Sequence, residues 1–298
     1  MIRRLGPGPA LAAAALLILV LAAIAAPLVE LAMGLDAEAV DLFGRLQPPS
    51  AEHPLGTDEL GRDLLLRLLY GGRVSLTVGV VAALAASSIG TAVGLAAGYL
   101  GGRADALLMR LADGVIALPL LPLLIVLAAV DLTKLGLSPE AAGSQTVLLA
   151  RLVVLVALVG WPTTARLVRA ATLSLRQREF VAAARALGFS PLRVAVRHVL
   201  PNAAAPILVA TTLAVGNVVL FESVLSFLGL GIRPPTPSWG NMLTGAQELI
   251  WESPRLAVWP GMLIFATVVS VNLLGDALRD ALDPRSRRRS AGGAQSGQ

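Results

Sequence analysis

Residues 74–100 read VSLTVGVVAALAASSIGTAVGLAAGYL, a stretch that contains no acidic, basic or proline residue. A helix of about twenty apolar residues crosses the roughly 30 Å hydrocarbon core of a bilayer and satisfies its own backbone hydrogen bonds there. The stretch is too long for a barrel strand. It therefore predicts a membrane-spanning helix.

The rest of the chain has the same character. Of its 298 residues 56% are hydrophobic and only 14% charged, and the mean hydropathy is +0.76. These values lie outside the range of soluble domains. We expect an all-α integral membrane protein with six transmembrane helices, placed at residues 9–33, 74–100, 107–130, 146–168, 203–225 and 256–274.

Arginine is unevenly distributed between the connecting segments, and basic residues favour the cytoplasmic side. With both termini in the cytoplasm, the inner side consists of the two ends, the short segment with Arg103 and the loop around 169–197. These inner segments hold roughly twice as many basic residues as the outer loops. The predicted divisions are a cytoplasmic N-terminus (1–8), a first helix (9–33), an extracytoplasmic segment (34–73), a transmembrane domain (74–284) with a cytoplasmic loop (176–201), and a disordered basic tail (285–298).

The first segment has an alternative interpretation as a secretory signal peptide, because a basic start precedes an apolar run that ends in small residues. Its length favours an uncleaved anchor. Five remaining spans would also place the two most basic segments on opposite sides of the membrane.

Several kinds of chemistry are excluded or disfavoured. There is no cysteine, and the two histidines, His53 and His198, lie in separate segments, which makes a metal site improbable. The single lysine, Lys134, follows no glycine loop, so the chain has no nucleotide-binding loop of the P-loop type. The net charge of +5 is explained by cytoplasmic arginine rather than by nucleic-acid binding.

Residues 178–202, REFVAAARALGFSPLRVAVRHVLPN, interrupt the apolar pattern with a compact basic element. We expect a first helix over 177–187 with Gly188 as its left-handed cap, and a second helix that Ser190 caps and Pro191 begins. The second helix should end at Pro201, before the fifth span. Its small residues suit either a partner's groove or a position on anionic lipid.

This element resembles the cytoplasmic coupling loop of ABC importer permeases, with Ala182-Ala183-Ala184, Gly188 and Leu200-Pro201 in register. It departs from that pattern at Ala182, where the family has glutamate, and at His198, where it has an apolar residue. Three other stretches, beginning at His53, Leu225 and Asn272, resemble the second permease subunit of dipeptide, oligopeptide and nickel importers. The four stretches occur in order over about residues 50–285.

The resemblance implies a type I importer fold and the role of a bacterial inner-membrane permease for peptides or a related small solute. It implies a homologous second permease, two ATPase subunits that bind ATP and Mg, an extracytoplasmic substrate-binding protein, contact with lipid, and no cofactor in this chain. The residues that it assigns to ATPase coupling are Ala182, Ala183, Ala184, Arg185, Gly188, Pro191, Arg193, Leu200 and Pro201.

Polar groups within apolar segments are candidates for the translocation pathway, because burying a charge in the bilayer costs a few kcal/mol. They are Asp113, Asn217, Glu222, Asn272 and Asp276. Each has a structural alternative: an ion pair of Asp113 with Arg110, for example, or an interhelical hydrogen bond of Asp276. The stripe Gly90, Gly94 and Gly98 predicts close helix packing rather than substrate contact.

In the outer loop after the fifth span, Ser238 can cap a helix over 239–250. The resemblance implies that this loop contacts the binding protein, through Pro235, Trp239 and Asn241. Trp239, Trp251 and Trp259 are alternatively interface anchors. Asp58, Glu59, Asp63 and Arg62 belong either to this outer surface or to a self-satisfied capping network. Two other functions remain open: an ion-gradient-driven secondary transporter using Asp113, Glu222 or Asp276, and an intramembrane enzyme, for which no nucleophile and base pair is evident.

Overall fold

The computed structural model describes residues 7–282, which are α-helical and contain no β-strand beyond one isolated bridge between Thr57 and Asp63. The predicted basic tail and the first six residues lie outside the described residues. The helices are α1 (Pro7–Ile24), α2 (Ala26–Met33), α3 (Leu64–Leu100), α4 (Gly102–Ala117), α5 (Leu120–Ala128), α6 (Pro139–Gly143), α7 (Gln145–Leu175), α8 (Glu179–Ala186), α9 (Pro191–Val194), α10 (Ala204–Phe227), α11 (Trp239–Ala246) and α12 (Arg255–Leu282).

Five helices are long and apolar enough to cross a membrane: α1, α3, α7, α12, and α10 together with the helical turns from Pro191 that precede it. A sixth span results if α4 and α5 are one broken span, since their axes meet at 86°. This break lies at Leu118-Pro119, where the extended backbone ends α4. The prediction of six spans corresponds to the larger of these two counts.

Two boundaries differ from those expected from hydropathy. Helix α3 begins at Leu64, ten residues before the apolar run, because Asp63 caps it by accepting a hydrogen bond from the Leu66 N–H at 2.8 Å. Its thirty-seven residues reach about 55 Å, well beyond the hydrocarbon core. Helix α7 likewise continues to Leu175. Arg67 and Arg73 on α3 and Arg169 on α7 interrupt the apolar runs, so hydropathy alone placed these helix ends too far inward.

The α3–α7 interface is the most extensive helix contact of the described chain. It is lined by Gly90, Gly94 and Gly98, all buried. A Cβ on Gly90 would lie 2.7 Å from the Thr164 Cβ, and one on Gly98 would lie 2.7 Å from the Thr172 Cβ. The glycine stripe is therefore a packing surface, as its spacing predicted.

The other long helices complete the bundle around this pair. Helix α10 packs on α3 and α12, and α1 packs on α12 and α3. The segment between α2 and α3 is attached by Arg255, whose Nη2 donates to the carbonyl oxygens of Leu46 at 2.8 Å and Gln47 at 2.7 Å.

Asp58 organises the same segment. Its Oδ2 lies 2.8 Å from Arg62 Nε and 3.2 Å from Arg67 Nε, and its Oδ1 accepts from the Leu60 and Arg62 N–H groups. Asp58, Arg62 and Arg67 are all buried. Of the two interpretations of this acidic group, the self-satisfied capping network is confirmed.

The glycine stripe gives a first test. Gly94→Ala places a methyl group against the Ala165 carbonyl oxygen and should destabilise the protein by about 1–3 kcal/mol, the usual cost of overpacking. Gly114→Ala is the control, because a Cβ there meets no atom within 4 Å and Gly114 is an exposed helical position. Thermal unfolding in detergent should show a lower midpoint for Gly94→Ala alone. Equal midpoints for the two variants would contradict this packing.

Candidate functional site

The segment between α7 and α10 forms a compact helical element, which we call the coupling loop (residues 176–201). Its first helix, α8, ends at Ala186 and is followed by Gly188, whose φ is +78°. The Gly188 N–H donates to the Arg185 carbonyl at 2.9 Å and the Phe189 N–H donates to the Ala184 carbonyl at 3.2 Å, the two bonds of a Schellman cap. The predicted left-handed cap at Gly188 is confirmed.

The second half of the coupling loop differs from the expectation. Ser190 precedes α9 but its side chain accepts no capping hydrogen bond. The helix does not stop at Pro201, because α9 continues through a π-helical turn (Ala195–Val199) and a 3-10 turn (Leu200–Ala203) into α10. Pro201 is tolerated since it occupies the first turn of that 3-10 segment. The loop is therefore continuous with the fifth span.

A small apolar core holds the coupling loop against the bundle. Val181, Ala184, Val194 and Val199 are buried together, and the side chains that pack against them are Leu95, Tyr99, Leu175 and Phe189. Because Leu95 and Tyr99 belong to the end of α3 and Leu175 ends α7, the loop rests on the same two helices that the glycine stripe joins.

Arginines reinforce this attachment. Arg176 Nη1 donates to the carbonyl oxygens of Gly98 at 3.3 Å and Tyr99 at 3.2 Å. The guanidinium of Arg185 lies 5.1 Å from the centre of the Tyr99 ring, within the range of a cation–π interaction. Arg169 on α7 pairs with Asp105 on α4, with 2.6 Å between Nη2 and Oδ2.

The residues that the resemblance assigned to ATPase coupling divide into two sets by exposure. Ala184 is buried in the loop's own core, so it cannot meet a partner, and Leu200 is half-buried. Exposed are Ala182, Ala183, Arg185, Gly188, Pro191, Arg193 and Pro201. Arg193 also lies over the Phe189 ring at 5.5 Å.

Sequence reasoning missed the most exposed apolar side chains of the loop. Leu187 is 74% exposed and Leu192 75% exposed, and Phe180 is exposed as well. Leu187 is three positions after Ala184, a spacing that places both on one helix face. The periodicity therefore gave no signal of its exposure.

Glu222 is completely buried at the junction of four segments. Its carboxylate accepts from Ser75 Oγ at 2.8 Å on α3 and from Ser226 Oγ at 2.7 Å on α10. Ser75 Oγ also accepts from the Trp239 N–H of α11 at 3.2 Å, and Ser226 Oγ accepts from the Ile232 N–H of the outer loop at 3.0 Å. The expectation that Glu222 lines the pathway is corrected: its carboxylate is enclosed by protein groups.

The other pathway candidates are dispersed. Asp113 pairs with Arg166 of α7 instead of the expected Arg110. Asn217 and Asp276 are exposed on α10 and α12, while Asn272 lies between these helices, 3.5 Å from the position of a Cβ on Gly216. The described chain does not gather them around one cavity.

Two of the three outer-loop candidates are structural. Trp239 is 2% exposed and its Nε1 donates to the Leu68 carbonyl at 2.9 Å. Asn241 closes a capping box with Ser238 and donates to the Thr236 carbonyl at 2.8 Å. Ser238 therefore caps α11 as expected, although the helix ends at Ala246. Only Pro235 is exposed, so Trp239 and Asn241 are corrected as contact residues, and Trp239 as an interface anchor.

These features define a polytopic helical membrane protein whose two longest packed helices carry an exposed loop. A family model described as "Binding-protein-dependent transport system inner membrane component" matches residues 90–288. The chain belongs to this family. It is a multi-pass inner-membrane permease subunit of a binding-protein-dependent ABC importer, a class in which separate subunits hydrolyse ATP. The expected fold class and permease role are confirmed.

Curated relatives extend the similarity over most of the chain. The dipeptide transport system permease protein DppC of Alkalihalophilus pseudofirmus is 42% identical over 243 residues, covering 82% of this chain and 75% of the relative. The glutathione transport system permease protein GsiD of Pectobacterium atrosepticum is 40% identical, covering 92% and 86%. The nickel transport system permease protein NikC of Escherichia coli is 40% identical, covering 91% and 92%.

The buried carboxylate gives a second prediction. Glu222→Ala leaves the hydroxyls of Ser75 and Ser226 without their acceptor, at a cost of about 1–3 kcal/mol for each buried unsatisfied group. Asn217→Ala on the same helix, at an exposed position, should be nearly neutral. Thermal unfolding and solute uptake are both measured. A Glu222→Gln variant that unfolds normally but transports nothing would show that Glu222 acts in the pathway.

Proposed function

We propose that this chain forms the translocation route for peptides or a related small solute together with a homologous second permease. Two ATPase subunits would bind the coupling loop, an extracytoplasmic binding protein would deliver the solute, and lipid would surround the bundle, with no role for nucleic acid. The relatives named for dipeptide, glutathione and nickel transport support a small solute of this range.

The coupling role is supported by the contrast between the packed side of the loop and its exposed side. Its inner side is fixed to α3 and α7 by the apolar core around Val181 and Val194. Leu187 and Leu192, on either side of the Gly188 turn, are 74% and 75% exposed, so their apolar surface is available to a partner. A force applied by an ATPase at these residues would reach the two helices directly through packed side chains.

The orientation follows from the same assignment. We place the coupling loop and both termini in the cytoplasm, which the excess of arginine in residues 169–197 supports. Because the natural chain has no cysteine, a single Leu187→Cys substitution reports on sidedness. Labelling of that cysteine by an impermeant maleimide added to the outside of sealed cells would contradict the orientation, whereas Leu135→Cys, in the loop before α7, should be labelled.

A secondary transporter driven by an ion gradient is disfavoured by the placement of its candidate carboxylates. Of its three candidates, Glu222 is enclosed and Asp113 is paired with Arg166, which leaves Asp276, exposed on α12, as the remaining one. An importer needs no titrating carboxylate in this chain, because its energy enters through the ATPases.

A matched pair of leucines tests the coupling role. Leu187→Glu should reduce uptake and binding-protein-stimulated ATP hydrolysis at least about tenfold, because a charge in the centre of an apolar contact is left desolvated. Leu135→Glu is the control: Leu135 is 67% exposed and also precedes a glycine of positive φ, Gly136. Both assays use the full importer in liposomes.

Three outcomes are informative. Loss with Leu187→Glu but not with Leu135→Glu supports coupling through the loop. Equal activity of both variants and the wild type would overturn it. Uptake that persists without ATPase subunits and follows a pH gradient would instead establish the secondary transporter.

A further inference from the structure

A cavity lies at the opposite end of α7 from the coupling loop. It has a volume of about 420 Å³ and is formed by the end of α5, the segment leading through α6 to α7, and the outer loop after α10. Arg151 and Arg233 both line it, together with Asp131 and apolar side chains that include Val130, Leu148 and Leu230.

Among the described residues, the Arg151 guanidinium forms hydrogen bonds through only one of its three nitrogens. Its Nη2 donates to the carbonyl oxygens of Val130 at 2.7 Å and Leu127 at 3.2 Å, and to that of Ala128. These carbonyls form the end of α5, where the backbone lacks intrahelical donors. Within residues 7–282 the structure gives Nη1 and Nε of Arg151 no hydrogen-bond partner, so two sides of the guanidinium fork remain available.

Arg233 lies on the outer loop and is exposed, and no ion pair or hydrogen bond of its side chain occurs among the described residues. The one carboxylate on the cavity, Asp131, accepts from the N–H of Thr133 at 2.9 Å and from its hydroxyl at 2.8 Å. In the described part of the chain, neither arginine forms a salt bridge with Asp131.

Two guanidinium groups facing one cavity repel each other, and that repulsion is relieved by an anion that both can bind. Arginine binds phosphate oxygens with two donors at once, and this geometry favours phosphate over a halide. The cavity is also lined by apolar side chains and lies where α7, a candidate membrane span, begins. An amphiphile with a phosphate headgroup fits both properties.

We propose that Arg151 and Arg233 form a binding site for a phosphate group, supplied by the headgroup of an anionic phospholipid. Arg151 holds one side of the phosphate while it caps α5, and Arg233 closes the other side from the outer loop. Bound phosphate would thereby connect α5, α7 and the loop after α10. Inorganic phosphate has the same chemistry and is the second possible source.

The test uses the purified importer with its partner subunits. Binding of phosphatidylglycerol and of phosphatidylcholine is measured by native mass spectrometry for the wild type, Arg233→Gln, Arg233→Lys and Arg45→Gln. Arg45 is the matched control, an exposed arginine that lines no part of this cavity. We expect phosphatidylglycerol affinity to fall roughly fivefold in Arg233→Gln, the scale of one partly exposed charge contact. It should fall less in Arg233→Lys, which keeps the charge but loses the two-donor geometry, and be retained in Arg45→Gln.

A parallel arm replaces lipid with millimolar inorganic phosphate and follows thermal stabilisation. An Arg233-dependent shift with phosphate, and none with phosphatidylglycerol, would retain the site but assign it to the free ion. Equal binding of the two lipids by the wild type would overturn the proposal. An equal loss of phosphatidylglycerol affinity in Arg233→Gln and Arg45→Gln would overturn it as well. Because none of these readouts involves ATP hydrolysis or uptake, the result is independent of the coupling role.

Discussion

The close contact between α3 and α7 is the constraint on which the rest of the structure depends. Association of helices inside a bilayer lacks a hydrophobic driving force between apolar side chains, so it relies on close packing. Gly90, Gly94 and Gly98 remove the side chains that would hold the backbones apart. The result is one rigid pair, and the coupling loop is built on one end of it.

The coupling loop is in contact with three of the long helices. The loop core packs on Leu95 and Tyr99 of α3 and on Leu175 of α7, and the loop then continues without a break into α10. At the other end, Glu222 joins α10 to α3 and α11 through buried hydroxyls. Two of the long helices, α3 and α10, are thus connected near both ends.

The sequence predicted features that depend on local chemistry. The glycine stripe, the left-handed cap at Gly188 and the helix cap at Ser238 each follow from a few neighbouring residues. The permease family was recognisable for a related reason, because four motifs occur in the expected order. No partner contact was needed for any of these.

Features that depend on tertiary contacts were not predictable. Glu222 looked like a pathway residue because an acidic group inside an apolar run is unusual, but Ser75 lies 147 positions away in sequence and satisfies it. Trp239 was expected to be a surface anchor, but it is buried and its Nε1 donates to the Leu68 carbonyl. The continuity of the coupling loop with the fifth span was missed, because the π-helical and 3-10 turns that join them leave no signal in the composition.

The most direct test of the account is a contact measurement at the coupling loop. A benzophenone maleimide is attached to Leu187→Cys in the otherwise cysteine-free chain, and the assembled importer is irradiated in membranes, with Leu135→Cys treated in parallel. The account predicts that position 187 crosslinks to an ATPase subunit and position 135 does not. Crosslinking of position 187 to lipid alone, or of position 135 to the ATPase, would contradict it.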